Sequence, residues 1–85
     1  METINNKVGQ KIRTLRLLQN LTQEKVALTA GMWTSQLGAI ERGEKNPTLE
    51  TLARIADALN VDVKDLFDDS GQLSECAQEG SNQYV

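Results

Sequence analysis

Thr34, Ser35 and Gln36 place two hydroxyls and a carboxamide on consecutive positions, with Ala39 three residues further on. A hydroxyl can donate or accept a hydrogen bond, and a carboxamide can do both at once. The methyl of Ala or Thr adds a small apolar contact. These groups suit the recognition of a surface rather than the breaking of a bond. Nucleophilic and metal chemistry are poorly served, because the chain has no histidine and a single cysteine, Cys76. Ordinary zinc sites, a Ser-His-Asp triad and a Cys-His dyad are therefore unavailable. Carboxylate or lysine chemistry stays formally open, but no cleft-forming architecture is visible to host it. The expectation is no catalysis, no metal and no cofactor.

The segment Leu21 to Gly43 shows what positions these groups. The Thr22 hydroxyl can accept from orphan backbone N–H groups and so open a helix over about Gln23 to Ala30. Ala27 gives that helix a small face. Gly31 supplies the positive φ of a short turn, and Met32 is expected to plug the core just after it. A second short helix, about Thr34 to Arg42, turns Leu37 and Ile40 inward and stops at Gly43. Thr34, Ser35, Gln36 and Ala39 then lie on the face opposite Leu37 and Ile40. Two short helices joined tightly through a glycine have the layout of a helix-turn-helix, whose second helix is shaped to enter a DNA major groove.

Three further helices surround this unit. Val8, Ile12 and Leu15 mark helix one, about Asn6 to Gln19, with Lys11, Arg13 and Arg16 interleaved. Leu17 and Leu18 are expected to broaden its apolar face. Asn20 ends it, since Asn tolerates the left-handed conformation. Asn46-Pro47 is extended, because the residue before proline avoids the α region. Thr48 caps helix four, about Leu49 to Leu59, with Leu52, Ile55, Ala56 and Leu59 as its buried stripe. Asn60 is a second left-handed stop, and Val61 re-enters the core. Asp62 is expected to cap a fifth short helix through Phe67, with Leu66 and Phe67 closing the base of the core. The fold class expected is all-α, with five helices.

The chain has 85 residues, enough for one small domain, and 39% of them are apolar. No apolar run approaches the roughly 18 residues of a membrane span, and Met1 to Asn6 lack a signal-peptide core. A soluble cytoplasmic protein with no membrane partner is expected. One cysteine agrees with a reducing compartment, although it can still link two chains. The net charge of −3 conceals an asymmetry: Lys7 to Val61 carry +3 and the remainder −6. A basic body with an acidic tail is compatible with modest phosphate binding. The domain is expected over residues 1–69. From Asp68 onward the composition turns polar and acidic, and residues 70–85 are expected to form a disordered tail.

Several spaced motifs together resemble the Xre/Cro-type helix-turn-helix domains of phage repressors and bacterial regulators. They are Val8-Gly9, Ile12-Arg13, Leu15-Arg16, Leu21-Thr22-Gln23-Glu24, Ala27, Gly31, Ile40-Glu41-Arg42-Gly43, Asn46-Pro47-Thr48-Leu49 and Leu52 to Val61. The likeness covers about Val8 to Phe67. Leu37 to Gly43 is also similar to restriction-modification controller proteins, over a shorter stretch. The resemblance implies a compact lambda-repressor-like domain with double-stranded DNA as its partner.

At the level of residues, it implies base-edge contacts for Thr34, Ser35, Gln36 and Ala39, against the alternative of a solvated helix face. Gln36 can pair with adenine, and the Ala or Thr methyls can meet a thymine methyl. It implies that Gln23 bonds a phosphate and braces helix three. It also implies a partly buried ion pair between Arg16 and Glu41. Arg42, Lys45 and Asn46 flank the end of helix three where a phosphate backbone would run; solvated loop charge is the alternative. Lys7, Lys11 and Arg13 can reach the same backbone. Trp33 departs from the family, which places a small polar cap there. Either Thr34 takes over the cap, or Trp33 lies against the sugar-phosphate with its indole N–H on a phosphate, or it packs on a neighbouring subunit.

One small reading head covers few base pairs, so a homodimer on a palindrome is expected, formed through helix four or five. The functional expectation is a sequence-specific transcriptional regulator, a repressor acting by occlusion. RNA polymerase or a regulatory protein is a further candidate partner. The rival is a protein-interaction module, antitoxin-like or anti-repressor, that has kept the fold.

Overall fold

Three threonines and four left-handed residues set the limits of the helices. In a computed structural model, which describes residues 3–67, the order is α1 (Ile4–Leu18), α2 (Gln23–Ala30), α3 (Thr34–Glu41), α4 (Leu49–Ala58) and a 3-10 turn, Val63–Phe67. Thr3, Thr22 and Thr48 lie just before α1, α2 and α4 with extended backbones. Their hydroxyls accept the N–H groups of Asn6, Lys25 and Thr51 at 3.2, 3.0 and 3.1 Å. Each bond satisfies a donor that the helix cannot. The Thr3 cap starts α1 two residues earlier than the apolar spacing predicts.

All four α-helices end in the same way. Asn20, Gly31, Gly43 and Asn60 have φ between 58° and 79°. The next residue in each case folds its N–H back onto the helix: Leu21 to Arg16, Met32 to Ala27, Glu44 to Ala39 and Val61 to Ala56, at 2.9–3.0 Å. This is the Schellman pattern, in which the left-handed residue lets orphan carbonyls be satisfied. Leu21, Met32 and Val61 then pack against the core, the apolar contact that accompanies the motif.

The core is one cluster. Ile12, Val26, Leu37, Ile55, Leu59 and Leu66 are its most deeply buried large side chains. α1 packs on α3, α2 on both α3 and α4, and the 3-10 turn closes against α1 and α4. The expected fifth α-helix is therefore corrected: among the described residues there are four α-helices and a 3-10 turn, and no strand. The local cap also runs the other way, since the Asp62 N–H donates to the Asp65 carboxylate at 3.0 Å. Leu17 and Leu18 are exposed rather than part of the apolar face. Leu66 is buried, whereas Phe67 is only partly covered. The expected domain boundary after residue 69 and the tail from 70 to 85 lie outside the described residues. Among the described residues no helix is long and apolar enough to cross a membrane.

Candidate nucleic-acid interface

The Arg16 side chain is the device that holds the helix-turn-helix in shape. Its Nε donates to Glu41 Oε2 at 2.8 Å and a terminal nitrogen donates to Glu41 Oε1 at 3.1 Å. The other terminal nitrogen reaches the Leu21 carbonyl at 2.8 Å, which ties in the linker before α2. The Gln23 Nε2 donates to the same Glu41 Oε1 at 3.0 Å. One carboxylate near the end of α3 thus collects donors from α1 and from the first residue of α2. Both charged groups are buried. The paired forks satisfy the lone pairs that burial would otherwise strand.

Held this way, α3 is exposed along its axis rather than around it. Leu37, Gly38, Ala39, Ile40 and Glu41 are all buried, so the second half of the helix is embedded on every side. The first turn projects: Ser35 and Gln36 are exposed and Thr34 is half-buried. Ala39, one turn beyond Ser35 on the same side, is only 8% exposed and offers little surface beside them. Its carbonyl is engaged by the Glu44 N–H at 2.9 Å as the chain folds back beneath the helix.

An open groove brings Ser35 and Gln36 together with Lys45 and Asn46. Thr48 and Thr51 line its far side, at the start of α4, where Thr48 Oγ1 and Thr51 Oγ1 are 3.0 Å apart. Thr51 had no signal in the sequence beyond its place in the first turn after Pro47. Gln23 is half-buried between the Glu41 clamp and the surface, and Arg42 crosses nearby. A Cβ on Gly38 would lie 3.2 Å from an Arg42 terminal nitrogen and 3.6 Å from the Gln23 carboxamide. Gly38 thus lets both side chains lie over α3.

Glu44 makes a contact that nothing in the residue spacing signals. Arg42 Nε donates to its carboxylate at 3.0 Å, with both side chains largely exposed. The hydrogen bond and the charge of Arg42 hold the Glu44 carboxyl below the usual carboxylate range, and the guanidinium is raised in turn. Because folding lowers this carboxyl, the pair's small contribution is present above the ordinary carboxylate range and lost as pH falls through the depressed value. The pair also sets an acidic side chain against a cation at the end of α3. Glu44→Gln is expected to tighten binding to every duplex alike, more at low salt than at high, in a titration of affinity against ionic strength.

Trp33 occupies the N-cap position of α3 and makes no side-chain cap bond. Thr34 is the first helical residue, so the cap does not pass to it. The indole is 79% exposed.

Residues 12–66 match the helix-turn-helix family model. The chain belongs to that family. Its helix-turn-helix is of the Xre type, and the family consists of DNA-binding transcriptional regulators rather than enzymes. The chain is 37% identical over 68 residues to the control protein C.SmaI of Serratia marcescens, covering 80% of this chain and 81% of that one. It is 37% identical over 68 residues to the immunity repressor protein of Bacillus phage phi105, of which it spans 47%. Among solved structures, the restriction-modification controller protein C.AhdI from Aeromonas hydrophila superposes with a TM-score of 0.73 at 36% identity. That match covers 74% of this chain and 96% of C.AhdI.

Proposed function

We propose that this Xre-type protein is a sequence-specific repressor that binds a palindromic operator as a homodimer. The supporting observation is the groove in which Ser35 and Gln36 stand beside Lys45 and Asn46. It offers base-edge chemistry and phosphate chemistry on one continuous surface. The projecting first turn of α3 enters the major groove end-on. Thr34 and Ser35 present hydroxyls to base edges, and Gln36 takes the N6 and N7 edge of an adenine. Lys45, Asn46 and Arg42 follow the backbone on one side. Gln23, held by Glu41 through one N–H, offers the other to a phosphate, and Trp33 presents its indole N–H to the backbone.

Thr34, Ser35 and Gln36 are short readers, so one head gives little discrimination. Two heads about one DNA turn apart supply the rest. Bound at a promoter, the dimer excludes polymerase. The likeness to control proteins makes a restriction-modification operon a natural setting for that operator.

Selection of bound fragments from genomic DNA, followed by measurement of affinity against salt, tests this reading. A palindromic consensus and a protein mass at the site of two chains are expected. Binding by a single chain, or no preference among fragments, contradicts it. Lys45→Ala is expected to weaken all sequences equally and to reduce the slope of log affinity against log salt by about 0.9. An unchanged slope removes Lys45 from the interface.

A further inference from the structure

Trp33 breaks a local rule that the other three α-helices obey. Each of those has a threonine cap, whereas α3 begins at an indole that cannot cap it. The helix forgoes a capping bond, and a large apolar ring stands in solvent. Local rules are usually broken where function asks for it. The ring does not stand alone. Leu28 on α2 is 78% exposed. With Gly31, Met32, Trp33 and Gln36 it lines an open hollow at the turn between α2 and α3. The indole and the Gln36 carboxamide are three residues apart at the projecting end of α3. An apolar surface therefore adjoins an adenine-reading amide.

We propose that Trp33 is a specificity-determining residue that reads the C5-methyl group of a thymine. The inference rests on the reading of α3 as the helix that enters the major groove. Every thymine presents that methyl in the groove, and it is the apolar mark that distinguishes the base there. The methyl lies close to the backbone of its own strand. The indole can therefore give its N–H to a phosphate while the body of the ring covers the methyl, backed by Met32 and Leu28. Gln36 beside it takes an adenine edge. The pair thus favours an A·T-containing step at the edge of each half-site.

The test uses the full chain and an operator fragment recovered by selection, with each thymine replaced singly by deoxyuridine, which lacks only the methyl. The second protein is Trp33→Ser, in which a capping hydroxyl replaces the ring. That variant is expected to fold more stably, with a melting temperature higher by roughly 4 °C. At one thymine in each half-site, the native protein is expected to lose about fourfold in affinity on removal of the methyl. Trp33→Ser is expected to bind the two versions equally well at that position. If every thymine gives the same ratio in both proteins, the inference is overturned while the operator reading stands. If Trp33→Ser changes the sedimentation of the free protein, the ring belongs to a subunit contact and the inference is overturned as well. If the native chain selects no duplex at all, the operator reading itself falls and takes this inference with it.

Discussion

Gly9→Ala is expected to destabilise the domain by about 3 kcal/mol and to lower its melting temperature by roughly 15 °C. Two effects oppose each other. Gly9 lies inside α1, where alanine is favoured over glycine by about 1 kcal/mol. A Cβ there would, however, collide with the carbonyl oxygen of Ile40 and stand 2.6 Å from that of Glu41. Those are backbone atoms at the end of α3, the Ile40 oxygen already accepting the Gly43 N–H at 3.0 Å, and they cannot swing aside as a side-chain tip can. The helices must part, which opens the core around Ile12 and Leu37. The steric term wins. Gly38→Ala supplies the contrast, because its Cβ would meet only the ends of the Arg42 and Gln23 side chains. Its helix propensity should prevail, leaving the melt unchanged or slightly higher. A thermal melt of the two variants decides the matter: if Gly9→Ala is as stable as Gly38→Ala, α1 and α3 do not meet as closely as described.

The stops of the helices were legible in the sequence because each is fixed by one residue's own backbone preference. Asn20, Gly31, Gly43 and Asn60 needed no knowledge of the rest of the chain. Thr22 and Thr48 were readable for the same reason, since a cap is a local hydrogen bond. What sequence periodicity could not supply was exposure along a helix axis. Leu37 and Ile40 define an inner face for α3 only if the helix lies flat on the core. It is embedded at its C-terminal end instead, so Ala39 is buried although it lies on the side of the helix away from Leu37 and Ile40. Leu17 and Leu18 lie around α1 from the side that carries Val8, Ile12, Leu15 and Arg16, and their apolar character alone does not say how wide the buried stripe is. The 3-10 turn is likewise a tertiary outcome, a segment of 5 residues pulled in by Leu66. The candidate site was legible as residue types on α3 and in the loop after Gly43. Its assembly with Thr51, and the competition of Glu44 for Arg42, depend on how the chain folds back beneath α3.

Removal of Arg16 tests whether the reading surface depends on a buried charge. Arg16→Ala leaves the Glu41 carboxylate, whose side chain is only 3% exposed, without its cation. A stranded buried charge costs about 3–5 kcal/mol, a large fraction of the stability of a small domain. The variant is expected to melt far below the native protein or to be unfolded at 37 °C. Glu41→Ala should be comparably damaging, because it strands the guanidinium instead. The double variant Arg16→Met, Glu41→Leu removes both charges and is expected to recover most of the loss, since apolar packing replaces the pair at similar volume. Arg16→Met and Glu41→Leu made singly complete a cycle with that double variant, and its coupling energy measures the pair. DNA binding separates the two roles of the clamp. In the double variant Gln23 has lost the Glu41 oxygen that orients it, so a stable fold should bind an operator several-fold more weakly than the native protein. Full affinity in a stable double variant would show that the clamp serves the fold alone, and that Gln23 finds its phosphate without Glu41.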